Sequence, residues 1–304
     1  MKSEEYHRPS FRARRAIRSK LMTRQKLYSL GTFIHRKYCL ATHFLHTHPD
    51  YLIIGVARSG STSLYQYLIQ HPDVGPALTK QIHFFDRYFD RGIEWYKVCF
   101  PFIWNKFYRK NILKKNFVTG EATVHYIMHP LAPKRISKII PNVKLIVMLR
   151  NPIDRAYSHY KMEYDGKNET LSFEEAIKQE EKRLEGEFEK LERVENYFSL
   201  EYPHHAYLTS GIYIDQLKRW MQYFPKEQFL ILKSEDFSHN PSVIYNQILE
   251  FLNLPKFELP EYKRLHEKIY EKMNPDTRRK LIEFFRPYNE QLYSLLNRNF
   301  HWDD

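Results

Sequence analysis

Residues Tyr51–Gln70 read YLIIGVARSGSTSLYQYLIQ, and the fold is read outward from them. Tyr51-Leu52-Ile53-Ile54-Gly55-Val56 is a short apolar run bounded by turn residues, the pattern of a strand buried in a parallel sheet. Arg58-Ser59-Gly60-Ser61-Thr62-Ser63 follows, small and hydroxyl-rich with one cation. Leu64, Tyr65, Leu68 and Ile69 then recur at helical spacing. A strand, a tight turn and a helix start aim unpaired backbone N–H groups at one point, where the helix dipole adds partial positive charge. Small side chains let an anion approach the backbone, while the hydroxyls and Arg58 add donors. The pattern predicts a site for phosphate or a similar oxyanion. A plain strand-to-helix turn explains the strand and the helix, but not the hydroxyls, a Gly and an Arg packed into six positions. The Gly-Lys-Ser/Thr ending of a Walker A loop is absent, which counts against ATP and GTP.

The chain has 304 residues, enough for a substantial core in one large α/β domain or two small ones. With 23 Tyr and 21 Phe, extended disorder over most of the length is not expected. The formal net charge of +12 points to an anionic partner: a nucleotide, an acidic glycan, a nucleic acid or a membrane surface. Much of that excess lies in a basic lead-in, Met1 to about Asp50, which carries Arg12, Arg14, Arg15, Arg18, Lys20, Arg24 and Lys26. A solvated arm is its default reading. An interfacial membrane helix giving peripheral membrane contact, or an arm packed on the domain, are the others. The lead-in lacks interleaved aromatics and a known motif, so nucleic acid is not the expected partner. Cys39 and Cys99 form neither a disulfide framework nor a zinc site, although one bridge between them stays open. No apolar run approaches the ~20 residues of a membrane span, and no signal-peptide pattern opens the sequence. Taken as complete, the chain reads as cytoplasmic, with residues 51–304 as one domain after the lead-in.

Beyond the opening unit, Thr79–Asp86 alternates aromatic and polar residues, and His83 and Asp86 stand three apart, so the carboxylate can orient the imidazole. Phe117–Glu121 reads as a strand with a polar tip, and Pro133–Ile140 as a helix. Lys144–Leu149 is the clearest second central strand. Arg150 follows at its carboxyl end, where open α/β sheets bind ligands. Asn151-Pro152 opens a helix that carries Ser158 about two turns on, within reach of a group held by Arg150. Leu171–Leu191 reads as one charged, solvent-facing helix. Tyr213, Leu217, Trp220 and Phe224 form a core stripe, and Gln228–Lys233 is a third parallel-type strand. Helices are expected over Ser242–Leu252 and Asp276–Leu296, with a basic segment, Tyr262–Lys272, between them. The alternation predicts an α/β fold: a parallel sheet with helices on both faces.

As a set, the cradle, Lys80-Gln81-Ile82-His83-Phe84-Phe85-Asp86 and Leu149-Arg150-Asn151-Pro152 with Ser158 resemble sulfotransferases that use 3′-phosphoadenosine 5′-phosphosulfate (PAPS). The likeness is nearest to the heparan-sulfate type and its bacterial relatives. Gly92–Tyr96, Gly120-Glu121-Ala122, Asp154–Tyr160, Gly211-Ile212-Tyr213 and Ser234-Glu235-Asp236 extend it from about Tyr51 onward. The resemblance implies a P-loop-like α/β fold and in-line transfer of the sulfuryl group to a carbohydrate or glycolipid hydroxyl (or amine). PAP is then the product, and no metal takes part. It places the 5′-phosphosulfate on Arg58–Ser63 and the 3′-phosphate on Arg150 and Ser158, with Tyr213 also on the nucleotide.

Departures from the family pattern matter for the chemistry. Arg58 stands where the family has Lys, offering a fork of donors rather than a point charge. Gln81 stands where relatives carry the Glu that serves as general base, and an amide cannot take that proton. Three accounts follow: His83 is the base, oriented by Asp86, with Glu121 as another candidate; the chain binds with little turnover; or a Glu-to-Gln change was introduced to trap a complex. The reading adopted is the first. The 262–272 segment lacks the family's Gly, and Ser210 replaces an Arg before Gly211. A nucleotide-dependent phosphotransferase is the rival enzyme class, and a nucleotide- or glycan-binding homologue the rival without turnover.

Overall fold

The computed structural model describes residues 34–35, 37–263 and 271–302. Five strands, β1 (Tyr51–Gly55), β2 (Val74–Pro76), β3 (Val118–Glu121), β4 (Lys144–Leu149) and β5 (Phe229–Lys233), form one sheet. Their order is β2-β3-β1-β4-β5, and every neighbouring pair is parallel. The strand opening the quoted stretch is thus central. All five of its residues are buried, because helices cover both faces.

The helices are α1 (Ser61–Leu68), α2 (Ile93–Lys97), α3 (Ile103–Phe107), α4 (Ala132–Ile139), α5 (Pro152–Asp165), α6 (Phe173–Leu184), α7 (Glu187–Arg193), α8 (Glu201–His205), α9 (Tyr213–Met221), α10 (Ser234–His239), α11 (Pro241–Phe251) and α12 (Pro275–Leu296). A π-helical turn, Tyr108–Ile112, continues α3. Successive β1 side chains point to opposite faces. Leu52 and Ile54 pack with Ile136 of α4, Leu217 and Trp220 of α9 and Leu292 of α12. Tyr51 and Ile53 pack with Leu64 and Leu68 of α1 and Ile248 of α11. Each face therefore closes its own apolar layer, as the alternating pattern predicts.

One helix departs from expectation. Leu171–Leu191 is broken into α6 and α7 at Gly186, whose φ of 71° is left-handed and ends the first run. Nor is its acidic face wholly in solvent. Glu180 is buried and accepts the N–H groups of Leu208 and Thr209, each at 2.7 Å. The carboxylate caps a buried turn, so its charge is structural.

Cys39 and Cys99 are both free and buried, so the bridge left open is not formed. Of the basic lead-in, residues 1–33 and 36 lie outside the described residues, and with them the arginine cluster and its expected membrane contact. Residues 37–42 are helical, and His46 bridges to Phe102, so the rest of the lead-in packs on the sheet domain. In the 262–272 segment, residues 264–270 lie outside the described residues. No helix among the described residues is long and apolar enough to cross a membrane.

Candidate active site

β1 and β4 are neighbours, so their carboxyl ends deliver two turns to the same edge of the sheet. After β1 the backbone of Arg58 is left-handed (φ 70°), as is that of Gly60 (φ 92°), which opens α1. A non-Gly residue held there is strained, a state usually kept where function requires it. The turn is braced from within. Ser59 Oγ donates to the Val56 carbonyl at 2.6 Å, and Ser234 Oγ donates to the Ser59 carbonyl at 2.8 Å. The Ser59 hydroxyl, expected on the ligand, is therefore spent on the turn. The first-turn N–H groups of α1 have no partner within the helix, which leaves them for an anion.

After β4, Asn151 Oδ1 caps α5 by accepting from Ile153 and Asp154, and Pro152 fills the first helical position. Arg150 Nη1 donates to the Arg58 carbonyl at 2.9 Å, which ties the two turns together. Ser158, one face down α5, accepts from Arg58 Nε at 3.1 Å. The Arg58 guanidinium also reaches Met162 Sδ, at 3.5 Å. Arg58, Arg150 and Ser158 thus converge on one patch.

The Arg58 side chain thus reaches α5 through Ser158 and Met162. A residue that the sequence reading did not single out reaches the hydroxyls at the start of α1. Lys80 Nζ donates to Thr62 Oγ1 at 2.7 Å and lies 3.5 Å from Ser61 Oγ. Burial lowers its pKa to about 8, because the ammonium has lost water without gaining a carboxylate. The signal was present: a Lys directly before Gln81, in a segment expected to face a cleft.

Next to Lys80, His83 Nδ1 donates to Asp86 Oδ2 at 2.9 Å, and His83 Nε2 lies 3.3 Å from Gln81 Oε1. His83 is also left-handed (φ 55°). Burial alone would lower the His83 pKa, but the hydrogen bond and charge of Asp86, with the more distant Glu121, raise it above the usual value. With Nδ1–H committed to Asp86, Nε2 is the nitrogen on the ring edge that faces Gln81. Gln81 can serve both states there: its carbonyl accepts from the imidazolium, and its amide, turned over, donates to the neutral ring. A cavity of about 230 Å³ adjoins this edge, lined by His83, Asp86, His125, Phe198, Tyr202 and His204. His83, Asp86 and His125 also place one ligand-capable atom each within 4.8 Å of one another.

Two other expected site residues are placed elsewhere. Glu121 is wholly buried and accepts from Tyr126 (2.7 Å), Tyr96 (3.2 Å), the Ile82 N–H (3.2 Å) and Thr123. It fixes the backbone of the Gln81–His83 loop and has no path to an acceptor, so it does not fit the role of base. Burial raises its pKa against those hydrogen bonds. Tyr213 is buried behind β4, and its hydroxyl donates to the Arg150 carbonyl at 2.8 Å. It positions the strand tip and does not line the cleft. The same tip is held by Asn151 Nδ2, which donates to the Trp302 carbonyl at 3.4 Å, and the β5 end by Lys233 Nζ on the Phe300 carbonyl at 2.6 Å.

A model of the sulfotransferase domain matches residues 48–285. The chain belongs to the sulfotransferase domain family. Human heparan sulfate glucosamine 3-O-sulfotransferase 5 is 29% identical over 84% of this chain and 74% of its own length. The membrane-associated sulfotransferase kil1 of Dictyostelium discoideum is 26% identical over 84% of this chain and 67% of its own length. The crystal structure of a sulfotransferase from Alicyclobacillus acidocaldarius is similar at a TM-score of 0.65 and 29% identity, covering 85% of this chain and 100% of that one. This sulfotransferase is accordingly an enzyme of sulfuryl transfer, built on the P-loop-like α/β fold that the family resemblance implies.

Proposed function

We propose that the chain transfers the sulfuryl group of PAPS to a hydroxyl of a carbohydrate acceptor. The donor set fits such a nucleotide, which carries anionic groups at both ends. Lys80, Ser61, Thr62 and the start of α1 would hold the phosphosulfate, and Arg150, Ser158 and Arg58 the 3′-phosphate. One observation carries the reading: the Arg150–Arg58 tie joins the β4 and β1 turns into a single cleft with cations at both ends. The carbohydrate acceptor is supported by the heparan sulfate relative.

In this reading His83 Nε2 takes the acceptor proton as the new O–S bond forms, and Asp86 holds the ring and steadies the imidazolium. As the S–O bond to the phosphate breaks, negative charge grows on the bridging oxygen. Lys80 and the α1 N-terminus meet that charge where it develops, the kind of stabilisation that lowers a barrier most. Gln81 sets where Nε2 points and carries no proton. The test is calorimetry with adenosine 3′,5′-bisphosphate, with and without Arg150→Ala, together with turnover of PAPS on a heparan oligosaccharide. Tight binding that Arg150→Ala weakens at least about tenfold is expected, since a charge-assisted pair is lost. Binding unchanged by the variant removes the two-ended cleft, and the reading with it.

A further inference from the structure

Between α2 and β3 the chain crosses the amino edge of the sheet, opposite the cleft. Two ion pairs clamp this crossing to the strand starts: Lys106 to Asp50, just before β1, and Arg109 Nη1 to Asp73 Oδ1 at 2.6 Å, just before β2. With those residues turned inward, the apolar ones of α3 and the π-helical turn face out. Ile103, Trp104, Phe107, Tyr108, Ile112 and Leu113 are all exposed, Trp104 to 63% and Ile112 to 62%. Monomeric soluble proteins rarely leave so many large apolar groups together in water, and such patches mark interaction surfaces.

The charge around the patch narrows the partner. Residues 101–117, PFIWNKFYRKNILKKNF, contain five cations and no acid. Lys106 and Arg109 are spent on the clamps, while Lys110, Lys114 and Lys115 make no ion pair among the described residues. A cavity of about 430 Å³ beside them is lined by Lys106, Lys110, Lys144, Asn116 and Asp50, its one carboxylate, which Lys106 already holds. A second copy docking by two-fold symmetry would set these cations against themselves. An anionic bilayer meets both features: aromatic rings with a polar edge settle at the headgroup level, and lysines are drawn to the surface charge.

We propose that residues 102–115 dock peripherally on an anionic phospholipid bilayer, with the rings of Trp104, Phe107 and Tyr108 in the interface and Lys110, Lys114 and Lys115 on the headgroups. The cleft, on the other edge of the sheet, then opens away from the lipid.

The test is flotation of the full chain with phosphatidylcholine vesicles, with and without about a third phosphatidylserine. Three proteins are compared: the unchanged chain, Trp104→Ser/Phe107→Ser, and Lys110→Glu/Lys114→Glu/Lys115→Glu. The unchanged chain floats with the serine-containing vesicles. The charge variant binds at least about a hundredfold more weakly, from about fivefold per cation, and the ring variant at least about tenfold. Both variants keep turnover in solution, since they alter exposed groups remote from the cleft. Failure of the unchanged chain to float overturns the proposal. So does equal flotation of the variants, which would place the binding elsewhere in the chain. A dimer in sedimentation that Trp104→Ser/Phe107→Ser converts to monomer also overturns it, because the patch would then be a protein interface.

Discussion

Replacing Lys80 by Met keeps the length and apolar stem of the side chain and removes the one ammonium among the α1 hydroxyls. That ammonium is already desolvated, with its pKa lowered to about 8, so no reorganisation of water is needed when charge appears beside it. Loss of one such preorganised donor costs about 10²–10³ in kcat, or about 3–4 kcal/mol of transition-state stabilisation. The lowered pKa makes a second, sharper claim. Lys80 is charged below its pKa and neutral above it, so kcat/KM, which reports the free enzyme, falls on the alkaline side near pH 8. One pH unit above that point, only about a tenth of the plateau remains. Lys80→Arg restores a permanent cation, so it keeps part of the rate and loses the alkaline limb. The assay is initial-rate sulfuryl transfer over roughly pH 6 to 10, which brackets the titrations of His83 and Lys80. A Lys80→Met enzyme within about threefold of the unchanged rate refutes the argument, as does a Lys80→Arg enzyme that keeps the limb.

Other outcomes follow from the same geometry. Asp86 holds the His83 pKa above its ordinary value, and the ring is a base only when neutral, so the acid limb of kcat/KM lies above about 6.5. Asp86→Asn moves that limb to lower pH; an unmoved limb means His83 is not the titrating base. His83→Ala loses about 10²–10⁴ in kcat, while Gln81→Glu stays active with its acid limb moved upward by the added charge. Full rate in His83→Ala beside an inert Gln81→Glu would assign the proton elsewhere. Glu180→Ala strands two part-buried N–H groups and destabilises the fold by about 1–2 kcal/mol, read from the urea midpoint. A change below about 0.5 kcal/mol would show that water replaces the carboxylate.

The central strands were legible because a parallel strand covered on both faces has no reason to carry polar residues. Lys144–Leu149 emerges with the predicted bounds for that reason. β2 escaped, since Val74-Gly75-Pro76 is a three-residue edge strand too short for any run to show. Arg150 and Ser158 are legible from their distance to a strand end, and both meet Arg58. The position of Lys80 directly before Gln81 was a signal, but that its ammonium reaches the α1 hydroxyls depends on packing that no local pattern shows. Glu121 looked available for the same reason. Its burial depends on Tyr96 and Tyr126, which reach it from separate segments that no local pattern links. Gly186 broke the long acidic helix where composition alone argued for continuity.

The hold of Phe300 and Trp302 on the β5 and β4 ends has a consequence for synthesis. Translation completes the five strands of this sheet by Lys233, yet the carbonyls that pin these two tips emerge later, Phe300 being 67 residues beyond Lys233. Domains mature in the order the ribosome releases them. A nascent chain halted before Phe300 would own its sheet and yet lack the contacts that pin the β4 and β5 tips.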